Sequence, residues 1–138
     1  MAFPLRSTRR LLIILPALAL AACQSSTSNT PTSPPAGGDP VQTATVTANP
    51  NNTFSPSIVN LLAGGTVTFT NGGGTHNVNA SGSLNFRCAN GCDGDGQGGN
   101  GNAADGWSFT ITFPSPGSTS YFCEPHQNEG MAGVINVQ

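Results

Sequence analysis

The chain has 138 residues, 36% of them hydrophobic and only 7% charged, with six acidic side chains against four basic ones. Arg6, Arg9 and Arg10 stand in the first ten residues and there is no lysine, so Arg87 alone faces Asp39, Asp93, Asp95, Asp105, Glu124 and Glu129, a formal charge of −5 beyond the N-terminal segment. A surface of this sign excludes nucleic-acid binding, which needs clustered cations, and also a polybasic membrane-binding face.

Residues 1–22 read as a secretion signal: three arginines, then an apolar run from Leu11 to Leu20 that is short for a bilayer span and interrupted by Pro16. It ends in Leu20-Ala21-Ala22-Cys23, small residues directly before a cysteine, which resembles the bacterial lipobox. That resemblance implies cleavage before Cys23 and lipidation of Cys23; ordinary secretory cleavage near Ala22 is the alternative. Gln24 rather than an aspartate follows, which favours the outer membrane, facing the periplasm. Residues 23–40 are Ser, Thr, Pro and Gly without apolar periodicity and read as a flexible tether. Residues 41–138 suffice for one small domain with one core.

Within that domain the pattern predicts strands. Val41 to Ala48 is rich in Val and Thr. Ile58 to Ala63 is apolar and stops at a Gly64-Gly65 turn signal, after which Thr66 to Thr70 alternates. Trp107 to Phe113 places a large apolar residue at every odd position. Pro114 to Gly117 forms a turn, followed by strands over Ser118 to Cys123 and Gly133 to Val137. Nothing has helical periodicity beyond a turn or two. Short strands punctuated by Gly and Pro predict an all-β fold, an antiparallel Greek-key β-sandwich.

Four cysteines punctuate the chain. Cys88 and Cys92 are close enough to form a local disulfide in an oxidising compartment; a second thiolate metal site is the alternative, for which no histidine is left over. The following Asp93-Gly94-Asp95-Gly96 superficially resembles a calcium loop starting at Asp93, but Ala104 stands where the bidentate glutamate should be, so a Gly/Asn loop is expected instead.

Cys123, His126 and Met131 follow one another as Cys-x2-His-x4-Met between two predicted strands, and His76 follows a Gly-rich turn upstream. The chain has only these two histidines. One thiolate, two imidazoles and a thioether form the donor set that suits both Cu(I) and Cu(II). Zinc is the competing ion, and a methionine in the fourth place argues against it. Pro125 restricts the loop, and Gly130 permits an unusual backbone just before Met131.

Three segments now carry a resemblance to the cupredoxins, the plastocyanin and azurin type of blue (type 1) copper protein. They are Phe54-Ser55-Pro56 with Gly64 to Phe69; Thr75-His76-Asn77-Val78; and Tyr121 to His126 through Gly130-Met131-Ala132-Gly133. The resemblance implies equatorial ligands His76, Cys123 and His126, an axial Met131, and Asn77 holding the ligand loops together by hydrogen bonds. It implies a one-electron carrier with one copper ion, transient redox protein partners and no small-molecule substrate, hence no enzyme. Copper storage, delivery or sequestration in the cell envelope is the alternative. Electrons would pass at the edge of His126, with Pro125, Met131 and Ala132 forming a small apolar docking patch. Two departures, Phe122 where photosynthetic plastocyanins usually carry tyrosine and the Gly-rich stretch from Ser81 to Gly106, weaken any inference of a photosynthetic partner.

Overall fold

The computed structural model of the chain describes residues 38–94, 99, 101 and 106–138. The signal segment, Cys23 and the tether through residue 37 lie outside them, as do Asp95 and Ala104 of the Gly-rich stretch. Among the described residues nine strands form: β1 Val41–Asn49, β2 Thr53–Ser55, β3 Ile58–Asn71, β4 Val78–Gly82, β5 Phe86–Ala89, β6 Gly91–Cys92, β7 Ser108–Phe113, β8 Gly117–Phe122 and β9 Ala132–Val137. A single 3-10 turn, Gln127–Glu129, interrupts the last connection.

Period-2 alternation explains which faces are inward. In β1, Ala44, Val46 and Ala48 are buried while the intervening threonines are partly covered; in β3, Val59, Leu61, Val67 and Phe69 point inward. The sequence suggests a break at Gly64-Gly65, yet β3 runs through it as one strand. Its first part, Ile58 to Leu61, lies parallel to Val134 to Val137 of β9. Its second part, from Gly65 onward, pairs antiparallel with β7 and parallel with β1. The register against β1 slips here, Val41 facing Leu61 and Thr43 facing Thr66, so the glycine pair is a bulge that lets one strand serve both layers.

The result is a Greek-key sandwich. One layer is β2–β1–β3–β7; the other runs from the start of β3 through β9, β8, β4, β5 and β6. All-β and sandwich are as expected, while the β1/β3 and β3/β9 pairs are parallel within an otherwise antiparallel arrangement. The β3/β9 pair arises because β3 exchanges β9 for β7 midway while β1 stays beside it, which no local pattern announces.

Aromatic side chains join the layers. The ring of Phe69 from β3 meets Tyr121 of β8 edge-on at 5.3 Å and stacks on Phe109 at 5.2 Å, and Phe86 of β5 meets Phe113 of β7 at 6.2 Å. Burying each such ring contributes about 1.5–3 kcal/mol. The Cys88–Cys92 disulfide is formed, bridging opposed residues of the β5–β6 hairpin.

This framework sets the site at one end. Asn79 of β4 lies opposite Phe122 of β8, and β8 pairs with β9 from Gly117↔Val137 to Phe122↔Ala132. The residues just before β4, just after β8 and just before β9 therefore emerge together.

Candidate metal centre

Those residues are His76, Cys123 with His126, and Met131. The ligand atoms of His76, Cys123 and His126 all lie within 4.8 Å of one another. Cys123 Sγ is 3.6 Å from His76 Nδ1 and 3.5 Å from His126 Nδ1. Metal–sulfur and metal–imidazole bonds of ~2.3 and ~2.0 Å, opened to between tetrahedral and trigonal angles, subtend ~3.5–3.7 Å, so both separations suit one ion. The imidazole rings are 4.9 Å apart and tilted by 60°, each turning Nδ1 toward the sulfur.

Each ligand is positioned by identifiable contacts. His76 is fully buried, and its Nε2 is 3.0 Å from the carbonyl of Gly73. A carbonyl only accepts, so Nε2 carries the proton and Nδ1 presents its lone pair to the sulfur side. Gly74 is required beside it: its φ is +92°, and a Cβ there would come within 2.8 Å of Nε2. Across the sandwich, the indole N–H of Trp107 donates to the His76 carbonyl at 3.2 Å.

The β8–β9 loop is closed on itself. Cys123 N–H donates to the Met131 carbonyl at 3.0 Å, and Met131 N–H donates to the His126 carbonyl at 3.3 Å. The chain turns through the 3-10 segment into Gly130, whose φ is +82°, in line with the unusual backbone expected there. Met131 is 1% exposed, so it belongs to the buried side of the centre and adds nothing to an external patch. That part of the expected docking surface is corrected: Pro125 and Ala132 are exposed beside a partly exposed His126, without Met131.

The Cys123 thiol is pushed up chiefly by burial; backbone N–H groups of Asn77 and His126 oppose the shift, while the charges of Glu124 and Glu129 add to it. Without a metal, burial therefore favours the protonated thiol, while the two N–H groups aimed at the sulfur would stabilise it as a thiolate in a metal complex. Asn77, fully buried, accepts the Glu124 N–H on Oδ1 at 2.9 Å and donates through Nδ2 to the Glu124 carboxylate. It thus ties the residue after His76 to the residue after Cys123, as expected for a link between ligand loops.

Sequence reasoning had not singled out Trp107 and Arg87 as contributors. Arg87 bonds Glu124 Oε2 through Nε at 3.0 Å and the second guanidinium nitrogen at 2.9 Å, and Asp93 at 3.1 Å. The available signal was that Arg87 is the only cation in the domain and that Glu124 adjoins a ligand.

A β-sandwich presenting buried His, Cys and Met with a rim His from one loop and one neighbouring turn defines a mononuclear copper-binding protein of the cupredoxin class. The chain belongs to the family described as copper binding proteins, plastocyanin/azurin family, whose sequence model matches residues 41–138. It is 37% identical over 97 residues to plastocyanin of Scenedesmus fuscus, covering 62% of this chain and 86% of that one. It is 30% identical over 104 residues to halocyanin of Natronomonas pharaonis, covering 74% of this chain and 58% of the relative. In fold it is similar to reduced auracyanin of Roseiflexus castenholzii, with a TM-score of 0.50 at 21% identity over 72% of this chain and 99% of that one. It also resembles part of a copper-containing nitrite reductase from Thermus scotoductus SA-01, with a TM-score of 0.54 at 24% identity, covering 78% of this chain but 25% of the enzyme.

Proposed function

We propose that this protein is a one-electron carrier, its copper alternating between Cu(I) and Cu(II) in a type 1 site, and that it is lipid-anchored in the cell envelope. The observation that carries the first part is the gathered donor set: a thiolate sulfur 3.5 and 3.6 Å from two imidazole nitrogens, with a buried methionine hydrogen-bonded through its backbone to the same loop. Copper supplies the electron; the chain supplies a fixed set of donors that suits both valence states, so little rearrangement opposes transfer. His126 is the partly exposed ligand, flanked by exposed Pro125 and Ala132, and is the natural edge for an electron to cross. The resemblance to a nitrite reductase extends to the fold alone. Both histidines of this chain are used at one centre, leaving none for a second copper site.

An absorption spectrum of the protein with one equivalent of Cu(II) tests this. A strong band near ~600 nm that bleaches on reduction and returns on oxidation is expected for thiolate-bound copper in this geometry. Tight copper binding with only a weak band would favour storage, delivery or sequestration instead, and no tight binding would defeat both.

The anchor is supported by Arg6, Arg9 and Arg10, the apolar run after them and Leu20-Ala21-Ala22-Cys23. Gln24 supports the outer membrane, facing the periplasm. Mass spectrometry of the mature N-terminus checks it: Cys23 should carry lipid, and Cys23→Ser should release the protein from the membrane fraction. Partners would be redox proteins that bind transiently, and the excess of carboxylates suits a cationic one; transfer rates that fail to fall with added salt would contradict that choice.

A further inference from the structure

We propose that Arg87, presented by the disulfide-stapled β5–β6 hairpin, is a positioning residue for the copper centre, acting through Glu124 on the Asn77 link between the two ligand segments. Arg87 itself touches no ligand. It sits opposite Asn79 in the β4–β5 pair, next to Cys88, whose bridge to Cys92 closes the hairpin. From there its Nε and a terminal nitrogen both reach Glu124 Oε2, while the other terminal nitrogen holds Asp93. The Asp93 N–H in turn donates to the Arg87 carbonyl at 2.9 Å, which folds the hairpin end around the guanidinium.

Glu124 is the hub of this arrangement. Its carboxylate accepts from Arg87, from Asn77 and, at 3.2 Å, from Asn79. Its N–H donates to Asn77 Oδ1, so Asn77 and Glu124 grip each other twice. These two residues directly follow the ligands His76 and Cys123, and the Asn77 N–H also reaches the Cys123 sulfur. Any rotation of the Glu124 side chain is therefore passed to the segment that carries a ligand and a hydrogen bond to another ligand's sulfur. Arg87 is the only cationic side chain available in the domain, so no other group can take its place. Arginine's planar fork fixes direction as well as charge, which a lysine would not.

Two effects follow when Arg87 is replaced. The Glu124 side chain loses its directional anchor, and Asn77 becomes less ordered. The carboxylates of Glu124 and Asp93 also lose their counter-charge, which favours the more positive oxidised copper and lowers the reduction potential. Global stability should hardly change, because an exposed ion pair contributes little to folding.

The test uses the full chain and Arg87→Gln, Arg87→Lys, Glu124→Gln and the Arg87→Gln/Glu124→Gln double variant. In the copper-free protein, amide hydrogen exchange at Glu124 should quicken severalfold in Arg87→Gln, with Arg87→Lys showing much of the same change because it keeps the charge but not the fork. With copper, Arg87→Gln should lower the potential and alter the thiolate band, while its denaturation midpoint stays near that of the wild type. In the Glu124→Gln background, Arg87→Gln should add little to the exchange at residue 124, while the part of the fall in potential that comes from the lost charge and from Asp93 should remain. Unchanged exchange at Glu124 in Arg87→Gln, or an exchange effect of undiminished size when Glu124 is already Gln, would overturn the assignment. It rests on the copper centre but fails separately from it: a wild type without the thiolate band sinks the centre, whereas the exchange measurement needs no metal.

Discussion

The indole N–H of Trp107 donates to the backbone carbonyl of His76 at 3.2 Å, joining the start of β7 to a ligand fully buried on the other side of the chain's turn. Asn71 N–H, at the end of β3, donates in return to the Trp107 carbonyl at 2.9 Å. The turn that delivers His76 is thus held from both sides, by its own strand and by the strand beside it. Trp107→Phe keeps an aromatic ring but removes the indole N–H donated to the His76 carbonyl and leaves a cavity at a buried position. A loss of about 1–3 kcal/mol in unfolding free energy is expected, read by denaturant titration of the copper-free protein. The thiolate band should persist, since no ligand is removed.

Gly74→Ala should act on the same turn more directly. The added methyl would approach the His76 ring to 2.8 Å and would force a side-chain-bearing residue to φ +92°. Weaker copper binding with a displaced band is the expected outcome, measured by competition with a chelator; unchanged affinity would show that the ring has room that its surroundings do not indicate.

Cys123→Ser should abolish the blue band, because the absorption arises from the sulfur–copper bond. Met131→Leu should instead keep copper and the band and raise the reduction potential, since a weak donor to the oxidised ion is lost while burial is kept. Complete loss of copper from Met131→Leu, found by metal analysis after dialysis, would contradict a weak axial role.

Glu124 links the site to acid stability. Its carboxyl is held below the usual range, chiefly by the Arg87 hydrogen bond; burial opposes this as the next-largest effect, and Asn77 and Asn79 add to the lowering. The folded protein therefore holds this proton less readily than the unfolded chain. The stabilisation is present above the unfolded carboxyl value of about 4.3 and is lost as pH falls through the lower folded value. Because the Arg87–Glu124 pair is largely exposed, denaturant midpoints of the copper-free protein should fall only slightly across that acid window, and Glu124→Gln should flatten this part of the curve.

Copper removal should lower the melting temperature. A ligand present free at 100 times its dissociation constant, with no affinity for the unfolded chain, stabilises by about 2.7 kcal/mol, or ~10–20 °C for a domain of this size; the donors that Cys123, His126 and Met131 keep in the unfolded chain make this an upper bound. Calorimetry with and without one equivalent of copper checks it.

The ligands were legible because three of them fall within nine residues of one another, in a spacing and chemistry that few other sites share, and because only two histidines had to be placed. β1, β3, β7, β8 and β9 were legible from their Val, Thr and apolar runs between Gly and Pro turns, with clear alternation in β3 and β7. β4, β5 and β6 were not: in Val78-Asn79-Ala80-Ser81-Gly82 the buried alternation is confined to Val78 and Ala80, and β6 is only two residues long. The continuity of β3 was hidden because two glycines signal a turn equally well when they form a bulge. Trp107 and His76 are 31 residues apart, and Arg87 and Glu124 are 37 apart. Contacts at that range depend on strand order and register, which composition and periodicity do not encode.

The closed β8–β9 loop also bears on how the metal and the folding chain meet. Cys123, His126 and Met131 remain near neighbours along the backbone even when the sandwich is undone, so an unfolded chain retains three donors in one short stretch. His76 alone has to be delivered by tertiary structure, through β3, β4 and the Trp107 tie. The preference of copper for the native over the denatured chain is accordingly concentrated in that one imidazole and in the exclusion of water around the sulfur. A chain that captures the ion early would complete its coordination only as the two layers close.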